Sequence, residues 1–148
     1  GRVRLYSQQA TDCTDRRIKD ISDFQIKANA LRAILTIIQK RKVFYSKIFD
    51  TAESENLICK LFLEKLVDLY DNLASYFVRG YSNECKAFTR PILIQFAMAD
   101  IALISDWVKS GMKEPVDAVE RKAITSNRDF FARTMEEYIE RYNAEHKK

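Results

Sequence analysis

The chain reads as an all-α domain of five to six helices with no strands. Three observations carry this reading. Only three Gly and two Pro punctuate 148 residues, so long unbroken helices are expected and frequent tight turns are not. Apolar residues recur at three- and four-residue spacing along most of the chain. From Ile92 to Ile104 only Gln95 and Asp100 interrupt an apolar run. A helix apolar nearly all round must be covered on most of its faces, by protein or by lipid. This run falls short of the about 20 apolar residues of a membrane span and carries Asp100, so it reads as the central helix of a helical domain with no membrane contact.

Composition sets the bounds. At this length residues 1–148 fit one domain with a substantial core. A hydrophobic content of 47% with 31% charged residues is ordinary for a water-soluble chain. The net charge of +4 is mild, and cations and anions are interspersed, so no acidic partner is demanded. Cys13, Cys59 and Cys85 are odd in number, widely spaced and without a CxxC pair. They read as small apolar fillers in a reducing, cytoplasmic setting rather than as a disulfide framework or zinc site. No basic-then-apolar signal segment opens the chain.

Taken in order, residues 1–13 show no periodicity and read as an irregular lead-in. The opening Gly1-Arg2, without Met, reads as part of something longer. Ser22 to Gln25 is a capping-box signature for the first helix, whose stripe is Leu31, Ile34, Leu35 and Ile38. Lys40-Arg41-Lys42 closes it, where cations favour the negative end of the helix dipole. A single basic triplet without interleaved aromatics reads as a solvated helix end rather than a nucleic-acid patch. A short amphipathic piece over Val43–Phe49 follows. Asp50 to Glu53 can cap the next helix, whose broad apolar face runs from Leu57 to Phe77, with Gly80 as its terminator. The central helix starts either near Ser82, with Pro91 inside it, or near Arg90; the residues leave both open. Pro115 starts a last helix with apolar positions from Val119 to Tyr142, and Asn143–Lys148 reads as a fraying tail.

Catalytic constellations are not legible. The one histidine, His146, sits in the tail and reads as solvated, so Ser-His and Cys-His chemistry has no base. No metal-ligand spacing, no Gly-rich phosphate cradle and no cofactor box is present, and the carboxylates read as solvated. The polar residues Gln95, Asp100 and Ser105 on the apolar central helix stand out. A buried carboxylate must be paired or hydrogen-bonded. Asp100 either meets a Lys or Arg from a neighbouring helix, or points with Gln95 into a cavity and orients a ligand. The central and last helices also carry more apolar surface than one chain can cover. Pairing with their two-fold copies into a four-helix bundle would cover it.

The stretch Trp107-Val108-Lys109-Ser110-Gly111-Met112-Lys113-Glu114-Pro115 resembles the turn that joins the last two long helices in the ligand-binding domain of TetR-family transcriptional regulators. Lys42–Phe49 resembles the segment after that domain's early helix, and helix order agrees over roughly Ser22 to Tyr138. The resemblance implies an orthogonal helical bundle whose last two long helices form a dimer four-helix bundle. By position, the homodimer face would draw on Phe88, Ile92, Ala99, Leu103, Trp107, Phe131, Met135 and Tyr138. A small apolar or amphipathic ligand would be lined by Phe44, Phe62, Leu66, Tyr70, Gln95, Phe96 and Asp100. The family's N-terminal helix-turn-helix is not legible in residues 1–21, so operator DNA would be contacted only through a head outside this sequence. A helical protein-interaction module without a small ligand is the alternative.

Overall fold

The computed structural model describes residues 29–146; the lead-in over 1–13 and the Ser22–Gln25 capping box lie outside the described residues. Within them the chain is five α-helices and one 3₁₀ turn, with no strand. These are α1 (Asn29–Lys40), α2 (Lys42–Ile48), α3 (Ala52–Phe77), the 3₁₀ turn Asn83–Cys85, α4 (Lys86–Lys109) and α5 (Val116–His146). The all-α expectation holds.

The helix boundaries have local causes. On α1 the stripe Leu31, Ile34, Leu35 and Ile38 is buried, as its spacing requires. Helix α3 is capped by Thr51, whose Oγ1 accepts the Ser54 amide at 3.3 Å, one position later than the Asp50 cap expected. It ends at Phe77, before Gly80. Gly80 instead takes φ +84° in the turn closed by Tyr81 N–H to the Val78 carbonyl, a conformation that favours glycine.

Helix α4 follows the Ser82-capped 3₁₀ turn directly, which decides for the long alternative with Pro91 inside the helix. Pro91 and Ala87, whose carbonyl loses its i+4 donor, are both exposed, so water satisfies what the ring removes. The segment Asn83–Lys109 is long and apolar enough to cross a membrane by length and composition. Here it packs mainly between α3 and α5, with Asp100 buried at its middle.

The α4–α5 turn explains the Trp-Val-Lys-Ser-Gly-Met string. Met112 N–H bonds the Trp107 carbonyl at 2.8 Å and Gly111 N–H bonds the Val108 carbonyl at 3.0 Å. That pair of bonds is a Schellman motif, with Gly111 at φ +92° in the position glycine fills best. Met112, itself at φ 53°, and Trp107 are both buried, the two positions whose apolar side chains commonly accompany the motif. Trp107 Nε1 donates to the Glu114 carbonyl at 2.8 Å and holds the loop against the end of α4. Pro115 then occupies the position just before α5.

Helix α5 runs to His146, so the expected fraying from Asn143 does not occur through that residue. His146 is exposed, as expected; within that exposed face it stacks on Tyr142 at 4.2 Å and its Nδ1 lies 2.9 Å from the Tyr142 carbonyl. Both contacts follow from i, i+4 spacing on one helix face. The core joins all five helices, with Leu35, Ile38, Leu66, Leu73, Ile104, Ile124, Phe131 and Met135 essentially closed to water.

Candidate functional site

The residues expected to line a ligand cavity fall into separate places. Phe44 is half-exposed on α2, its ring edge-on to Tyr45 at 5.1 Å. Phe62 lies tilted against the same tyrosine at 6.4 Å. Leu66 is fully buried in the core. Gln95 is exposed on α4 rather than turned into the buried core, against the inward-facing role considered for it. Tyr70, Phe96 and Asp100 do come together, but around another side chain. The Phe131 ring sits 5.1 Å from Tyr70 and 5.2 Å from Phe96, and Tyr70 lies 5.9 Å from Phe96. These are ordinary aromatic packing distances. The Phe131 ring occupies the space between Tyr70 and Phe96, and neither cavity described below is lined by this set.

Asp100 is 1% exposed and accepts the Tyr70 hydroxyl at 2.7 Å, so its burial is met by a hydrogen bond from α3 rather than at a solvent boundary. A second buried carboxylate, Glu120 on α5, departs from the solvated role expected of the acidic residues. Arg32 of α1 reaches it through Nε at 3.1 Å and Nη2 at 2.7 Å, and also bonds Asp117 one helical turn away. Arg32 holds the Asp117 carboxyl below its ordinary range, chiefly through that hydrogen bond and then through its charge. The cluster ties α1 to the first turns of α5. At the end of α4, Glu55 of α3 receives Lys109 Nζ at 2.9 Å and Ser105 Oγ at 2.7 Å.

The expected dimer residues divide as well. Ile92, Trp107, Phe131 and Met135 are buried within this chain's own core, and so face no partner. Phe88 and Tyr138 are half-buried against each other at 5.7 Å, joining the start of α4 to the end of α5. Ala99 is exposed and Leu103 half-buried. Around them the structure adds residues that the sequence did not single out. Met98 and Ala102 are exposed on the same side of α4, and with Gln95 and Asp106 they form a stripe of helical spacing. The stripe is bordered on one side by a cavity of about 540 Å³ lined by Leu103, Ala118, Arg121, Lys122 and Thr125. On the other side lies a groove of about 580 Å³ between α3 and α4, lined by Glu53, Asn56, Leu57, Cys59, Lys60, Leu63, Met98 and Ile101. Leu57, expected on the inner face of α3, is 65% exposed at this groove, and of the two alternatives Leu61 and Phe62 it is Phe62 that turns inward while Leu61 is 60% exposed. Phe130, expected in the core, is likewise exposed on α5.

Among the described residues no cluster of His, Cys, Asp or Glu could hold a metal ion. Cys59 and Cys85 are free thiols. Burial, and then the nearby Glu55 charge, push the Cys59 thiol up, so it stays protonated at neutral pH and lacks the character of a nucleophile. Compared with family models, characterised proteins and solved structures, the chain has no significant match.

Proposed function

We propose that this chain is the dimerisation and effector-binding domain of a TetR-like transcriptional regulator acting in the cytoplasm, with no reaction of its own. The observation that carries the reading is the solvent-facing apolar stripe Met98, Ala99 and Ala102 on a helix whose other faces are buried. An exposed apolar patch at the middle of the most apolar helix marks an interface. A second copy covers it symmetrically, because the same stripe exists on both partners and small alanines let two α4 helices approach closely. The Schellman turn from Trp107 to Pro115 sets the long α4 and α5 side by side, as the regulator resemblance requires.

In this reading a DNA-binding head N-terminal to α1 is carried on that helix, and the Arg32 bonds to Glu120 and Asp117 relay shifts from α1 to α5, which packs against the dimerising helix α4. Size-exclusion chromatography with light scattering tests it. A dimer at micromolar concentration, converted to monomer by Ala102→Arg on the exposed stripe, supports the reading. A wild-type monomer under the same conditions refutes the dimerisation half. The second reading, a helical protein-interaction module without a small ligand, is favoured by the filled space among Tyr70, Phe96 and Phe131.

A further inference from the structure

The regulator reading needs a place for an effector, and the filled interior moves that place outward. We propose that the groove between α3 and α4 binds an amphipathic monocarboxylate, with its alkyl chain on Leu57, Leu63, Met98 and Ile101 and its carboxylate on Lys60. The assignment rests on the regulator reading for the consequence of binding, but its chemistry stands on the groove itself.

The volume of about 580 Å³ falls within the range of small-molecule sites, roughly 300–1,000 Å³. The floor is Ile101, buried at 8% exposure, and the half-buried Leu63; the walls are Leu57 and Met98, both largely open to solvent. Covering those side chains is worth about 25 cal/mol per Å² of apolar area removed from water. Glu53, Asn56, Leu57, Lys60 and Leu63 recur at three- and four-residue spacing, so one stripe of α3 forms the whole wall. From Glu53 to Leu63 that wall is ten helical steps long, roughly 15 Å at 1.5 Å per residue.

Charge fixes the direction. Lys60 makes no ion pair among the described residues and is the one cation among the residues that line the groove. Glu53, two turns away along α3, repels a carboxylate from the opposite end. An apolar body with one anionic terminus therefore fits in one orientation only. Cys59, half-buried in the same wall and kept protonated, serves as a reporter rather than a reactant.

The test uses the full chain with Cys13→Ser, so that Cys59 is the accessible thiol and buried Cys85 reports unfolding. Alkylation of Cys59 by iodoacetamide, run in alkaline buffer so that enough thiolate forms to react, is timed with decanoate below its micelle concentration, and with decanol as an uncharged control. Saturable protection by decanoate is expected, weakened about tenfold in affinity by Lys60→Glu, the size of one charge-assisted hydrogen bond. Leu57→Asn, at an exposed position, should weaken decanoate and decanol alike. Absence of protection, equal affinity for decanoate in Lys60→Glu, or protection accompanied by Cys85 labelling overturns the site. Protection that grows with protein concentration in the absence of decanoate assigns the groove to a second copy and also overturns it. Light scattering on the same samples keeps the two ideas apart. Protection in a monomer retains the site and rejects the dimer, whereas an unprotected dimer does the reverse.

Discussion

Phe131→Ala is the substitution that asks most directly whether the interior is solid. The ring is fully buried on α5 and wedged between Tyr70 of α3 and Phe96 of α4, at 5.1 and 5.2 Å. Truncating a buried phenylalanine to alanine removes its transfer free energy and leaves a cavity, together about 3–5 kcal/mol. The lower end applies where neighbours collapse into the space. Phe96, only half-buried, is free to lean inward, whereas Tyr70 is held by its hydroxyl bond to Asp100. We expect about 4 kcal/mol, equivalent to a fall in Tm of roughly 10–15 °C for a chain of this size. Urea unfolding followed by circular dichroism measures it, at one fixed protein concentration because self-association adds a concentration-dependent stabilisation. The slope against urea should be unchanged. A loss below about 1.5 kcal/mol with unchanged slope would refute the reasoning. It would mean that space already surrounds the ring and that the interior ligand cavity expected from the sequence exists there. Tyr70→Phe should cost about 1–3 kcal/mol, the penalty of withdrawing one partner from a buried carboxylate, and should combine non-additively with Phe131→Ala because the two rings touch.

Other expectations follow from the turns and the ion pairs. Gly111→Ala should destabilise by about 1–2 kcal/mol from the left-handed backbone alone, since a Cβ there meets only ordinary contacts with Lys113. Gly80→Ala should cost more, because its Cβ would also press on Ile139 Cγ2 at 3.3 Å; thermal melts of the two variants decide the order. Lys109, and secondarily Ser105, hold the Glu55 carboxyl below its ordinary value. Its stabilisation is therefore present above about pH 4.3 and is lost as pH falls through the lower folded value. The stability gap between wild type and Glu55→Gln should be widest at neutral pH and narrow in acid; a gap that widens on acidification would contradict this. Arg32→Met should speed amide exchange in α1 and lower Tm, because it leaves Glu120 buried without its guanidinium. Exchange confined to wild-type rates would show that α1 does not depend on the clasp.

Much of the architecture is written in periodicity that points one way. The α1 stripe through Leu31, Leu35 and Ile38 has a single apolar face, and that face is buried. The Trp107–Pro115 turn is legible because glycine and proline take backbone positions that few residues fill. The faces of α4 are not legible for the opposite reason. Apolar residues surround it, so no phase distinguishes Ile92 and Trp107, which point inward, from Met98 and Ala102, which point out. Helix α3 has the same ambiguity in its first turns, where Leu57 and Leu61 alternate with Ile58 and Phe62 and only the neighbouring helices choose. The α3–α4 groove could not be read at all, since its two walls lie about forty residues apart and meet only in the fold. Arg32 and Glu120 were missed likewise; a buried carboxylate on a charged helix leaves no local signal.

The central claim is that the α4 stripe meets its own copy. Disulfide cross-linking tests it most directly, with Cys13 and Cys59 replaced by Ser and a single cysteine placed at Ala99, Ala102 or, as control, Val43, the exposed residue on α2. A disulfide forms only where two Cα atoms come within about 7 Å. The account predicts a cross-linked dimer from position 99 or 102 under mild oxidation, and little from position 43. No cross-link at either stripe position, or an equal yield at position 43, would contradict it.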